Sequence, residues 1–126
     1  MPIKTYNKLV RDKIPKIIEK DGSVPIFKKI DNNKDIAKLL SRKLLEESQE
    51  LNERMNDLEI LQEDPEYFND KEVMKEIADI MEVYEELIFT LSLSGNLDKI
   101  SKQRKLKADS KGRFKEGYYL YSVHEK

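Results

Sequence analysis

The chain of 126 residues carries 39% charged and 38% hydrophobic residues and a net charge of −1, which fits one domain with a modest core. It contains no cysteine, which excludes disulfides and thiolate metal sites. Its single histidine, His124, lies at the carboxyl end, which excludes the clustered imidazoles of a zinc or iron site.

After a short extended start, Asp12 is expected to cap a first helix running to about Lys20, with Pro15 tolerated in its first turn. Asp21-Gly22 then ends it. Val24 to Ile30 is rich in Val, Ile and Phe and reads as a short strand, placed at an edge by Pro25. Asp31 or Asn33 is expected to cap a long helix to roughly Leu61, with Asp64-Pro65 in the connection that follows. Asn69 or Asp70 caps the next helix, which is expected to end near Ser94-Gly95. Asn96 starts a fourth helix from Leu97 to about Lys107, and a turn follows around Ser110-Lys111-Gly112. Tyr118 to Val123 reads as a second short strand, with Tyr119 and Tyr121 on one face and expected in the core. The predicted fold is therefore mainly α: a helical bundle whose two long helices pack antiparallel, with two short strands near the chain ends. Residues 1–126 are expected to form one domain. No stretch resembles a signal peptide or a membrane span, so a cytoplasmic protein with no membrane partner is expected.

The balanced net charge hides an asymmetry. Residues 46–86 carry 16 acids against three bases, whereas residues 99–115 carry eight bases against one acid. Such a division suits a metal together with a polyanionic ligand. The plainer alternative is two solvated faces that attract each other. A nucleic-acid polymer is not expected as a partner, because the basic stretch has no interleaved aromatics and the acidic body would repel a phosphate backbone.

The acids are also regularly spaced. At about 100° per residue, Leu40, Leu44, Leu51, Met55 and Leu58 form one apolar stripe, and Glu47 lies roughly 20° from Leu40 inside it. On the next helix, Val73, Ile77, Ile80, Met81, Tyr84, Leu87, Ile88 and Leu91 share an apolar arc that includes Glu76, with Asp79 at its border. Glu47 and Glu50, like Glu76 and Asp79, are three residues apart and can present two oxygens to one point between the helices. An ionised carboxylate at a core position costs several kcal/mol unless it is paired or binds a metal. Two such pairs on neighbouring helices predict a hard divalent cation such as Mg²⁺. The ordinary alternative tilts Glu47 or Glu76 outward into ion pairs with Lys43 or Lys75. A di-iron bundle would need Glu-x-x-His steps, and there are none.

Lys43-Leu44-Leu45-Glu46-Glu47-Ser48-Gln49-Glu50-Leu51, followed by Lys75-Glu76-Ile77-Ala78-Asp79-Ile80, resembles the EExxE and ExxD signature of the all-α nucleoside triphosphate pyrophosphohydrolases. These are the MazG-like and phosphoribosyl-ATP pyrophosphohydrolase-like proteins. The opening Tyr6-Asn7-Lys8-Leu9-Val10-Arg11-Asp12-Lys13-Ile14-Pro15 and the close, Lys107 to Leu120, look like the two ends of one branch of that superfamily. The branch tends to read Arg-Gly-Gly-Phe where this chain has Lys111-Gly112-Arg113-Phe114, so a side chain replaces a glycine that would let backbone approach a ligand.

The resemblance implies a reaction. Glu47, Glu50, Glu76 and Asp79 would bind Mg²⁺, with Mn²⁺ the other candidate. A nucleotide would be cleaved between its α and β phosphates to a monophosphate and pyrophosphate. Glu46 or Glu50 would accept the proton of the attacking water. The leaving pyrophosphate needs cations, for which Lys8, Arg11, Lys13, Arg104, Lys107, Lys111 and Arg113 are candidates, and Asn7 can hydrogen-bond a phosphate or a base edge. Family members complete the bundle by oligomerisation, so at least a homodimer is expected. The leading rival is a non-catalytic helical module that binds a nucleotide or another protein on the same fold.

Overall fold

Four α-helices form among the residues described by the computed structural model, which are 2–57 and 70–124: α1 (Ile14–Lys20), α2 (Asn33–Met55), α3 (Lys71–Thr90) and α4 (Leu97–Lys111). They fall into two compact units, Met1–Ser92 and Leu93–Lys126. None of the described helices is long and apolar enough to cross a membrane.

In the first unit α1 starts one residue later than expected. Lys13, not Asp12, is its N-cap, and it makes no side-chain capping bond. Pro15 sits in the first turn, where a missing N–H leaves no helical bond unmade. The helix closes as Gly22 turns to φ +87°: its N–H donates to the Glu19 carbonyl at 3.0 Å, and that of Ser23 to the Ile18 carbonyl at 3.2 Å. This is the Schellman pattern, which a glycine adopts without a Cβ clash.

Neither expected strand forms among the described residues. Val24 to Ile30 and Tyr118 to Val123 both run without a ladder, and their apolar side chains face solvent, with Ile26 94% and Tyr118 90% exposed. The preference of Val, Ile, Phe and Tyr for strands expresses packing on a paired sheet, and a segment with no ladder partner cannot realise it. Tyr119 and Tyr121 are correspondingly not core residues. They are exposed and meet each other edge to face, with ring centroids 5.1 Å apart.

The core of the first unit is the α2–α3 pair. Asn32 caps α2, its side chain accepting from the Asp35 N–H at 2.8 Å, between the two positions expected for that role. The helix stops at Met55, short of the expected Leu61; the Asn56 N–H folds back to the Asn52 and Glu53 carbonyls and tightens the last turn. Leu58, Leu61, Asp64-Pro65 and Asn69, named above in the stripe, the helix end, the connection and the cap, lie outside the described residues.

Asp70 caps α3, accepting from the Val73 N–H at 2.9 Å, and it also takes the Arg54 guanidinium through both oxygens, at 2.7 and 3.3 Å. This bridge joins the end of α2 to the start of α3, so the two helices run antiparallel. Between them Ala37, Leu40, Val73 and Val83 are buried. α3 ends at Thr90, before the expected glycine, because Ser92 takes φ +57° and its N–H returns to the Phe89 carbonyl.

The second unit holds a single 3₁₀ turn, Ser94–Asn96, and α4. α4 runs one turn beyond the expected Lys107 and stops at Gly112, whose φ of +80° brings its N–H onto the Ala108 carbonyl at 2.8 Å.

Because the buried set is small, Leu40→Ala is expected to lower the urea-unfolding free energy by about 2 kcal/mol, the low end for such truncations. Leu45→Ala, on the exposed side of the same helix, should change it little. Asp70→Ala should lower the unfolding midpoint more than Asp70→Asn, because asparagine keeps the acceptor for the Val73 N–H and loses only the charge opposite Arg54.

Candidate metal centre

The position of Glu47 follows from helix geometry. It lies within about 20° of Leu40 around α2, on the side that packs against α3, and its side chain is buried with the apolar residues. Glu50, one turn further on, is exposed, and Glu76 is half-buried on α3. One oxygen from each of Glu47, Glu50 and Glu76 lies within 4.8 Å of the other two. A cluster of three carboxylates with this spacing can hold a metal ion.

Asp79 and Glu46 border the cluster and are engaged elsewhere. The Arg11 guanidinium donates to Asp79 Oδ1 at 2.8 Å, and Lys8 Nζ approaches Glu46 Oε1 at 3.4 Å. Lys43, one turn before Glu47, holds Glu47 Oε1 at 3.7 Å. Thus the ion pair expected as the ordinary alternative does form for Glu47, though only with one oxygen. Lys75 goes instead to Glu72 at 3.2 Å. With every group ionised, five carboxylates face three cations, which leaves a formal charge of −2.

The electrostatics show where that excess is least tolerated. Glu47 Oε2 and Glu76 Oε2 are buried with no hydrogen-bond partner. Burial first, and then the shared hydrogen bonds and like charges of Glu50 and Glu47 beside it, together raise the Glu76 pKa from its ordinary 4.5 to about 7. Burial also raises Glu47, with Glu50 and Asp79 adding repulsion while Glu76 and Lys43 oppose the shift. Protonated Glu76 supplies the one donor that the cluster otherwise lacks. A cation would satisfy the same oxygens without a proton.

The remaining sequence candidates are distributed over both units. Asn7 and Lys8 line a cavity of about 370 Å³ with Tyr6, Arg42, Lys43 and Glu46. Asn7 holds a left-handed φ of +47°, which asparagine tolerates better than most residues. Lys13 is exposed at the start of α1. Arg104, Lys107, Lys111 and Arg113 belong to the second unit, on α4 and just past Gly112, and all four side chains are exposed without an ion pair among the described residues. Arg42 and Tyr6 were not anticipated as site residues. Arg42 carries a readable signal, since it stands four residues before Glu46 and so shares its helix face.

A pH dependence follows. Glu76 keeps its proton to about pH 7 in the folded chain but loses it near 4.5 when unfolded. The folded state therefore binds more protons between those values, and stability falls as pH rises through that window. Unfolding midpoints measured in chelator should decline from pH 4.5 to 7, and Glu76→Gln should flatten most of that decline. An unchanged slope in the variant would mean that Glu76 is not the group responsible.

Comparison of the chain with protein-family models, with curated protein sequences and with solved structures gives no match.

Proposed function

We propose that the chain is a Mg²⁺-dependent nucleotide pyrophosphohydrolase of the all-α type, cleaving a nucleoside triphosphate or a phosphoribosyl-ATP-like nucleotide between its α and β phosphates. The observation that carries this reading is the pair of buried, partnerless oxygens of Glu47 and Glu76, converging with Glu50 from two helices. Buried carboxylates without donors are expensive to keep, and an all-oxygen donor set suits a hard divalent ion. With every carboxylate ionised, the residual charge of −2 around the cluster is the one that a single divalent cation would neutralise. The resemblance of Glu46-Glu47-x-x-Glu50 and Glu76-x-x-Asp79 to the family signature supplies the reaction.

The size of the cluster bears on the choice of ion. Oxygens at about 2.1 Å from one octahedral ion are roughly 3.0 to 4.2 Å apart. A set spread up to 4.8 Å must close slightly on Mg²⁺, which Glu50, exposed on α2, can do by changing rotamer. Bound divalent ions neutralise phosphate charge and lower the pKa of a coordinated water. The chain supplies the rest. Glu50 or Glu46 accepts the proton of the attacking water, Glu46 after release from Lys8. Arg11, freed from Asp79 when that carboxylate turns to an ion, becomes available to a phosphate. Both pairs are substantially exposed, so parting them costs little.

A second copy of the chain completes this reading. Met74, Ile77, Met81 and Tyr84 lie within an arc of about 80° on α3, and each is 44 to 58% exposed. We read this stripe as the contact of a homodimer or higher homo-oligomer. The three ion pairs favour one rival, in which the acids only balance Lys8, Arg11 and Lys43 in a non-catalytic nucleotide-binding or interaction module.

The deciding experiment follows monophosphate and pyrophosphate release from a panel of NTPs, dNTPs and phosphoribosyl-ATP, with Mg²⁺, with Mn²⁺ and with chelator. Both products should appear only with metal. Glu47→Gln and Glu76→Gln should each reduce turnover by about 10³-fold while leaving stability in chelator equal or higher. Silence across the panel from folded protein, or variants that unfold in chelator, would favour the rival. In sedimentation, Met81→Asp should shift the protein toward the monomer.

A further inference from the structure

The cavity between the amino-terminal segment and α2 is distinct from the carboxylate cluster and opposite in charge. Three cations line it, Lys8, Arg42 and Lys43, against one acid, Glu46. Two of the three are engaged, Lys8 with Glu46 and Lys43 with Glu47. Arg42 forms no ion pair or side-chain hydrogen bond among the described residues, and the one acid of the lining, Glu46, is held by Lys8, so the cavity presents an unengaged guanidinium fork. Asn7 stands at the same wall with its backbone held at φ +47°. Asparagine adopts this left-handed region more readily than most residues, so the turn keeps a neutral amide in the lining at little conformational cost. The Tyr6 ring lies beneath two ammonium groups, Lys4 at 5.2 Å and Lys8 at 5.8 Å from its centroid, which concentrates positive charge at the mouth.

The lining has a chemical signature. Unpaired guanidinium, lysine ammonium and an amide make a set of donors that fits phosphate oxygens, and the fork of Arg42 can engage two of them at once. A volume of about 370 Å³ accommodates a diphosphate or a larger ligand fragment. The cavity also adjoins the carboxylates directly, since Lys43 and Glu46 line it while Lys43 holds Glu47 at 3.7 Å.

We propose that this cavity is an anion subsite for the terminal phosphates of the nucleotide, with Arg42 and Lys8 as its cations and Asn7 as its neutral donor. The identity of the ligand rests on the pyrophosphohydrolase reading; the existence of the subsite does not. Lys8 serves both states, bridging to Glu46 when the subsite is empty and turning to phosphate when it fills.

Calorimetric titration with inorganic pyrophosphate and, separately, with AMP tests the assignment, in chelator so that no metal contributes. Pyrophosphate should bind the parent protein, more weakly at higher salt, and Arg42→Ala should weaken it by roughly tenfold or more. Arg42→Lys should recover part of the loss and Arg42→Glu should abolish binding. AMP affinity and Mn²⁺ affinity should stay within about twofold of the parent in Arg42→Ala, since AMP lacks the terminal phosphates and Arg42 pairs with none of Glu47, Glu50 and Glu76. Arg42 is exposed on the helix surface, so these variants test binding and not folding. Pyrophosphate affinity indifferent to Arg42, or absent in the parent, overturns the proposal, as does an equal loss of AMP. Arg42-dependent pyrophosphate binding without nucleotide cleavage would leave the subsite standing and remove only the hydrolytic reading. Cleavage with a KM unaffected by Arg42→Ala would do the reverse.

Discussion

The burial of carboxylates between α2 and α3 is the constraint from which the rest of the first unit follows. Glu47 occupies a position that helix periodicity assigns to the core, and Glu76 faces it from the other helix. Neither oxygen left over finds a donor. Charge in such a place must be removed, balanced or coordinated. The unit uses the first two remedies together: a proton held on Glu76 and a lysine at 3.7 Å from Glu47. The amino-terminal segment extends the second remedy by bringing Lys8 to Glu46 and Arg11 to Asp79. Residues 68 positions apart are therefore tied together by the acidic centre.

Helix periodicity made much of this legible in advance, because it is a local property that needs no knowledge of neighbours. The inward placement of Glu47 and the meeting of Glu50 with Glu76 follow from spacing alone. The cap at Asp70 was likewise readable from its position ahead of an apolar run. The capture of Asp79 by Arg11 was not, since it depends on the path of an irregular segment whose direction no local pattern encodes. The strands failed for a related reason. Val24, Ile26 and Tyr118 have the composition of strands, but a ladder requires a partner that the described chain does not provide. The end of α3 differs from expectation because Ser92, at φ +57°, does there what a glycine usually does.

α3 has apolar side chains over more of its circumference than α2 covers. Val83 and Thr90 point into the pair, whereas Met81 and Tyr84 do not. α4 is the opposite case, with six bases and two acids in 15 residues and no buried side chain. A helix that is polar on all sides gains little from packing and contributes mainly an electric field, here one that draws anions.

The Arg54–Asp70 bridge has a consequence for how the sequence can vary. Arg54 stands one turn past Glu50, and Asp70 stands six residues before Glu76. The bridge therefore sets the sliding position of one helix along the other at a point close to the carboxylates. Any substitution that breaks the bridge should therefore reach the carboxylates as well as the helix ends, so exchange of Arg54 or Asp70 is tolerated best where its partner restores the opposite charge.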